Sequence, residues 1–281
     1  MNEILETVAA AAPEIRAGLP DRRRYADAEN PSGERQLAAD EYADKLLGDR
    51  LTALGSVASY ASEERTDVIE SEGRYHVAVD PLDGSSNLRS NNAMGTIVGV
   101  YDEPLPAPGR SLVASGFVLF GPITTMVAAE AGTVTEYVLE DGNPTIATES
   151  VTLPAEPTVY GFGGRVPDWP AAFADYAESI EQELKLRYGG AMIADVSQVL
   201  TYGGIFAYPA LKSAPDGKLR LQFEGNPIAH IVETAGGASS DGARSLREVE
   251  PSDLHERVPV HVGNESLVDR LEAALGESRH A

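Results

Sequence analysis

Between residues 56 and 139 the chain passes through successive β-like runs, at 56–60, 67–70, 75–79, 95–101, 112–120, 123–129 and 133–139. Gly95, Gly121–Pro122 and Gly132 punctuate them. Connections this short join antiparallel neighbours and leave no room for crossover helices. The stretch therefore predicts a large, mostly antiparallel sheet. Ahead of it, residues 34–54 space Leu37, Tyr42, Leu46, Leu47 and Leu51 as one apolar helix face, with Ser32 or Gly33 as the helix entry. The helix lies against that sheet.

The second half reads differently. A strand at 158–162 precedes a helix at 170–184. Another helix near 193–201 leads to a strand at 204–208, a helix at 221–235 and a strand at 258–262. A last amphipathic helix covers 264–275, with Asn264 as its cap. Alternation of this kind predicts a layered α/β half. The fold class is α/β (α+β layered). The expected division is an N-terminal half, residues 1–150, and a C-terminal half, residues 151–281, meeting in the segment ESVTLPAEP.

Composition narrows the function classes. The 281 residues carry a formal net charge of −22, with lysine only at Lys45, Lys185, Lys212 and Lys218. A polyanion of this kind repels nucleic acid and anionic membranes, so neither is an expected partner. Heavy acid excess with scarce lysine fits a protein working in concentrated salt, where screening removes self-repulsion. Cysteine is absent, which excludes disulfides, thiolate nucleophiles and Cys-ligated zinc. No apolar window is long enough to span a bilayer, and the N-terminus lacks the pattern of a secretion signal. A cytoplasmic location is expected.

The segment with most chemistry is VDPLDGSSN, residues 79–87, directly after strand-like YHVAV. Asp80 and Asp83, with the Leu82 carbonyl between them, make an all-oxygen site of the kind Mg²⁺ prefers. Gly84, Ser85 and Ser86 follow with backbone N–H groups suited to phosphate oxygens. Asp-Pro-x-Asp-Gly alone is also an ordinary solvated turn; its position after an apolar strand argues otherwise. Glu63–Glu64, Glu224 and Asp40 are unremarkable singly, Glu224 reading as a helix pair with Arg220. The five histidines lack metal-binding spacing. GFGG after a strand fails the dinucleotide-loop spacing at Val166.

Taken in order, YASEE, DPLDGSSN, RYGGAMIADV, the long run from YGGIFAYPALKSAPDGKLRLQFEGNP to HIVETAGG, and LHERVPV make the chain resemble the class I fructose-1,6-bisphosphatases. These belong to the wider lithium-sensitive sugar and inositol phosphatases, with an αβαβα fold. The resemblance covers about residue 30 to residue 275. It implies metal-dependent hydrolysis of the 1-phosphate of fructose 1,6-bisphosphate in gluconeogenesis. The alternatives are a related sugar bisphosphate such as sedoheptulose bisphosphate, an inositol or sugar monophosphate, or, more distantly, a non-catalytic metabolite sensor. The implied cofactor is Mg²⁺, two or three per site, with Mn²⁺ as a substitute. The implied partner besides substrate is the chain itself, in a dimer or tetramer.

Residue by residue, the resemblance implies that Asp80, Asp83 and Glu224 ligate one metal, and Glu63, Asp80 and the Leu82 carbonyl a second. Glu64 and Asp40 help deprotonate the attacking water, and Glu34 matches a loop acid. Asp83, Gly84, Ser85, Ser86, Tyr188, Tyr208, Lys218 and Arg220 face the sugar phosphate, while Arg187 reaches a neighbouring subunit's site. Two departures stand out. The residues that grip the distal phosphate in the family fall here at Gly163 and Val166, next to Arg165. In the family's AMP site, Arg74–Tyr75 match a basic–Tyr pair, but Asp102 replaces an arginine, so AMP inhibition is not expected.

Overall fold

The computed structural model describes residues 1–29 and 35–278. Helix α1 (Glu3–Gly18) is followed by a β-hairpin of β1 (Tyr25–Glu29) and β2 (Arg35–Leu37), then by α2 (Ala38–Leu51). The second helix thus starts four residues later than its apolar spacing predicts, and its expected entry at Ser32 or Gly33 lies outside the described residues. The next strands are β3 (Val57–Ser62), β4 (Ile69–Glu70) and β5 (Tyr75–Asp83); a short helix α3 (Asn87–Ser90) leads to β6 (Met94–Tyr101). β7 (Leu112–Phe120), β8 (Thr124–Glu130), β9 (Thr133–Glu140) and β10 (Asn143–Thr148) complete an eight-stranded sheet of order β10-β9-β8-β7-β6-β5-β3-β4. Every pairing in it is antiparallel except β3 with β5.

The second half holds β11 (Val159–Phe162), α4 (Ala171–Glu181), β12 (Lys185–Leu186), α5 (Met192–Tyr202) and β13 (Gly204–Tyr208). β14 (Leu219–Arg220), α6 (Asn226–Thr234), β15 (Ala238–Ser240), β16 (Arg257–Val258), β17 (Val260–Gly263) and α7 (Glu265–Ser278) follow. Five of these strands form a mixed sheet, β12-β11-β13-β17-β15; β14 and β16 pair separately.

Strand periodicity decides what each face of the large sheet meets. Val98, Val118, Met126 and Ala128 point toward α1 and α2, into a core with Leu5, Val8, Ile15 and Leu47. Their neighbours Ile97, Phe117, Val127 and Ala129 point the other way, against Ile193 and Val196 of α5 and Ile228 and Val232 of α6. Phe206 and Val262 of the small sheet share this second core, so the middle helices are covered on both sides. A third core seats Phe173 and Ile180 of α4 and Leu271 of α7 on the outer face of the small sheet. The layers run αβαβα.

Two local expectations change. Residues 221–235 are not one α-helix. Leu221–Gly225 form a π-helical turn and α6 begins at Asn226, because Pro227 in its first turn has no N–H to continue the ladder backwards. Asn264 does precede α7, but its side chain does not cap it. Its Oδ1 accepts the Gly204 N–H at 2.7 Å and its Nδ2 donates to the Pro154 carbonyl at 2.8 Å, tying the strand ends together.

Candidate active site

β3 and β5 lie side by side and parallel, so both deliver their C-terminal ends to one edge of the sheet. Glu63 follows β3 directly, and its N–H donates to the Val79 carbonyl at 3.0 Å, which sets it beside Asp80. Asp80 and Asp83 are three residues apart and on a regular strand would face opposite ways. The register against β6 slips there: Asp80 pairs with Ile97 and Asp83 with Gly95. One extra residue on the β5 side is a bulge, and it turns both carboxylates into the same cleft. Pro81 sits inside the bulge, where no ladder N–H is needed. The Asp80 carboxylate accepts the Leu82 N–H at 2.9 Å, closing the turn.

Glu224 arrives from the other half, on the π-helical turn. That turn is pinned to the first half by the Tyr101 hydroxyl donating to the Gln222 carbonyl at 3.0 Å and the Ala107 N–H donating to Gln222 Oε1 at 2.9 Å. The Glu224 carboxylate accepts the Arg220 backbone N–H, while the Arg220 guanidinium is salt-bridged to Glu63. Arg220 is thus 2% exposed and directed at the acids. Glu63, Asp80 and Glu224 offer carboxylate oxygens within 4.8 Å of one another, and all three are buried.

These acids share a cleft of about 320 Å³ with Leu82, Asp83, Gly84, Ser85 and Ser86. After Asp83 the chain turns at Gly84, whose φ of 72° lies in the left-handed region and whose α-carbon leaves no room for a side chain against Ala191. Asp83 Oδ2 accepts the Ile193 N–H at 2.8 Å. Asp40 comes from the first turn of α2, where its carboxylate accepts the Leu37 N–H at 2.7 Å. Glu64 lines the same cleft, as do Tyr188, Tyr208, Lys218 and Arg220. Glu34 lies outside the described residues.

Arg187 does not line this cleft. It is exposed and leaves β12 with its N–H donated to the Tyr160 carbonyl at 2.7 Å. Arg165 and Val166 are likewise exposed and apart from the cleft. Gly163 has a packing reason: a Cβ there would run into the Tyr208 ring. One cleft residue escapes a reading of the sequence by motif chemistry. Asp195, in the first turn of α5, is 2% exposed and lines the cleft. Nothing in MIADV separates it from a surface helix acid.

The electrostatics are dominated by burial. Burial pushes the Asp40 carboxyl up to about 7. It does the same for Asp83, where Glu63 adds to the push, and for Asp195, where Asp83 does. Asp80 rises well above the usual carboxylate range through burial and then through the charges of Glu63, Asp83 and Glu224. Glu224 rises for the same reasons, partly offset by Arg220. So many buried acids crowded around one arginine make an assembly that nearby cations would stabilise. The donors are all oxygen, with no His or Cys, which suits a hard divalent cation.

Fold and site together define a buried, acidic cleft that could hold divalent metal on an αβαβα frame. The family model described as the N-terminal domain of fructose-1,6-bisphosphatase matches residues 1–146, and that of the C-terminal domain matches residues 153–276. The chain is 64% identical over 278 residues to the class 1 fructose-1,6-bisphosphatase of Natronomonas pharaonis, covering 98% of each. It is 59% identical to that of Halobacterium salinarum, covering 98% of this chain and 97% of the relative. Both relatives come from halophilic archaea. The crystal structure of Leishmania major fructose-1,6-bisphosphatase in holo form superposes with a TM-score of 0.90 at 29% identity, covering 96% of this chain and 92% of that one. The chain belongs to the class 1 fructose-1,6-bisphosphatase family. Among the described residues, no helix is long and apolar enough to cross a membrane.

Proposed function

We propose that this chain hydrolyses the 1-phosphate of fructose 1,6-bisphosphate, releasing fructose 6-phosphate and phosphate, with Mg²⁺ as its cofactor. The observation that carries the reading is the buried triad of Glu63, Asp80 and Glu224 beside the Asp83–Ser86 turn. Around the triad, Asp80, Asp83 and Glu224 would hold one cation, and Glu63, Asp80 and the Leu82 carbonyl a second. Bound divalent cations supply charge neutralisation of the phosphate dianion and acidify water.

The chain's own groups do the rest. Gly84, Ser85 and Ser86 start a helical turn, since their carbonyls accept the N–H groups of Asn87, Leu88 and Arg89. Their own N–H groups orient phosphate oxygens. Asp40, held near 7 by burial, is poised to take a proton from the attacking water at neutral pH, with Glu64 as second acceptor. Tyr188 and Tyr208 border the sugar, and Lys218 faces its distal phosphate. Arg187, exposed and turned out of its own cleft, suits a role across a subunit boundary in a homo-oligomer.

The test is phosphate release from fructose 1,6-bisphosphate in molar KCl, with Mg²⁺ and then with excess EDTA. The expected result is turnover that EDTA abolishes and Mg²⁺ restores. Undiminished activity in EDTA would refute the metal-dependent reading, and preference for a monophosphate would refute the assigned substrate.

A further inference from the structure

Asp195 is placed as a residue serving the loop in front of its helix. It is the fourth residue of α5, yet the N–H groups that open α5 go elsewhere, with Ile193 donating to Asp83. Asp195 Oδ1 instead reaches backward and accepts the Gly189 N–H at 2.7 Å, and the Gly190 N–H also faces the carboxylate. Gly190 has φ 81°, a left-handed residue that folds the chain back on itself here. On its other side the same turn is held by Asn87 Nδ2, which donates to the Gly189 carbonyl at 2.8 Å, and by Asn92 Nδ2 at 3.0 Å. At its start the Arg187 N–H is fixed to Tyr160. The span from Arg187 to Gly190 is thus gripped at both ends, and the grip at its exit comes from the Asp195 carboxylate.

The residue is costly on stability grounds. Its Oδ2 is buried without a hydrogen-bond partner, which is destabilising. Packing alone would favour a neutral side chain. A carboxylate, however, makes a charge-assisted bond to the Gly189 N–H, roughly twice as strong as a neutral one. Between that N–H and the strand stands Tyr188, which lines the cleft while 45% exposed.

We propose that Asp195 is a positioning residue for substrate binding: by clamping the Gly189–Gly190 turn it sets where Tyr188 meets the sugar bisphosphate. The proposal rests on the functional reading above. It predicts damage to binding without damage to the chemistry at the triad, which Asp195 does not touch.

The test compares Asp195→Ala, Asp195→Leu and Asp195→Asn in the Mg²⁺-loaded full-length protein. Alanine and leucine remove the acceptor, leucine without leaving a cavity, so one of them serves if the other folds poorly. Both should raise KM for fructose 1,6-bisphosphate by about 10-fold or more, with kcat within about 3-fold. Asparagine keeps an oxygen acceptor and should bring KM back to within about 3-fold of the parent. The inhibition constant of inorganic phosphate, which needs only the acidic end, should move less than about 2-fold. A fall in kcat at unchanged KM, or an asparagine variant as impaired as alanine, would overturn the clamp. So would a crystal structure of Asp195→Ala whose residues 187–190 superpose on the parent. Turnover by the parent protein in the same assay tests the underlying reading separately.

Discussion

At one end of the cleft, Glu63, Asp80, Asp83 and Glu224 are each no more than 9% exposed and are fixed by backbone hydrogen bonds or by the Arg220 guanidinium. At the other end Tyr188 is 45% exposed, Lys218 is exposed, and Gly163 leaves a space that the Tyr208 ring fills. The first end holds more negative charge than a folded protein keeps without help, and two halves of the chain are braced to hold it. The second is assembled from loops and more exposed side chains. On the proposed reading, chemistry belongs to the rigid end and selectivity to the adaptable one. Changes at the two ends should separate into kcat and KM effects.

The sharpest break of this contrast is Asp80→Asn. Asp80 is the one acid flanked by all the others, so its loss should lower kcat by at least about 10²-fold, the size typical for removing a group that stabilises developing charge. The same change removes a buried, mutually repelled carboxylate. The metal-free variant should then melt above the metal-free parent, by a few degrees for about 1 kcal/mol. Activity and apo stability moving in opposite directions identify a functional charge cluster. Both falling together would make Asp80 merely structural.

Much of this was legible in the residues. The runs at 95–101, 112–120 and 123–129 predicted strands within a residue of those found, because short antiparallel strands are specified locally. VDPLDGSSN declared its chemistry because two acids, a proline and a glycine lie within one turn. Glu63 and Glu224 did not: the chain closes 160 residues between them, and only the resemblance joined them. The bulge that turns Asp80 and Asp83 to one side, and the π-helical turn that aims Glu224, are backbone irregularities without a periodic signal. Asp195 acts on a turn six residues upstream, a relation visible only after folding.

A smaller, global effect concerns charge. The burial-raised carboxyls of Asp40, Asp83 and Asp195, near 7, and those of Asp80 and Glu224, also raised, have ordinary values near 4 once unfolded. Their contribution to stability is full below about pH 4 and is lost as pH rises through about 7 and beyond. His230 and His261, held down to about 4 by burial, act oppositely: their contribution is present above about 6.5 and lost in acid. Between pH 6.5 and 8.5 only the acids still matter. The metal-free Tm should fall by about 5 °C over that window, and saturating Mg²⁺ should flatten the fall. Raising KCl from 0.1 M to 3 M should lift the whole curve, since the surface repulsion of net charge −22 is screened beyond about 3 Å, while the slope persists because the cluster is buried. A metal-free Tm that rises with pH would contradict the burial argument, and an unchanged Tm in 3 M KCl would remove salt adaptation.

The smallest expected effect sharpens the other end. Gly163→Ala places a methyl against the Tyr208 ring, which must swing away because the Gly163 backbone is held on both sides. Its N–H donates to the Ala207 carbonyl and its carbonyl accepts the Trp169 indole N–H, each at 2.8 Å. Crowding of this kind costs about 1–3 kcal/mol. Since Tyr208 borders the cleft, KM for the bisphosphate should rise by about 3-fold to 10-fold while kcat holds. Tyr208→Ala should raise KM by a similar factor. Combining it with Gly163→Ala should add little, because the methyl then has no ring to displace, and the double-mutant coupling reports that shared cause. Additive losses would mean that Gly163 acts through the Trp169 side instead. A fall in kcat equal to the rise in KM would mean that the two ends of the cleft are not separable, and the contrast between them would fail.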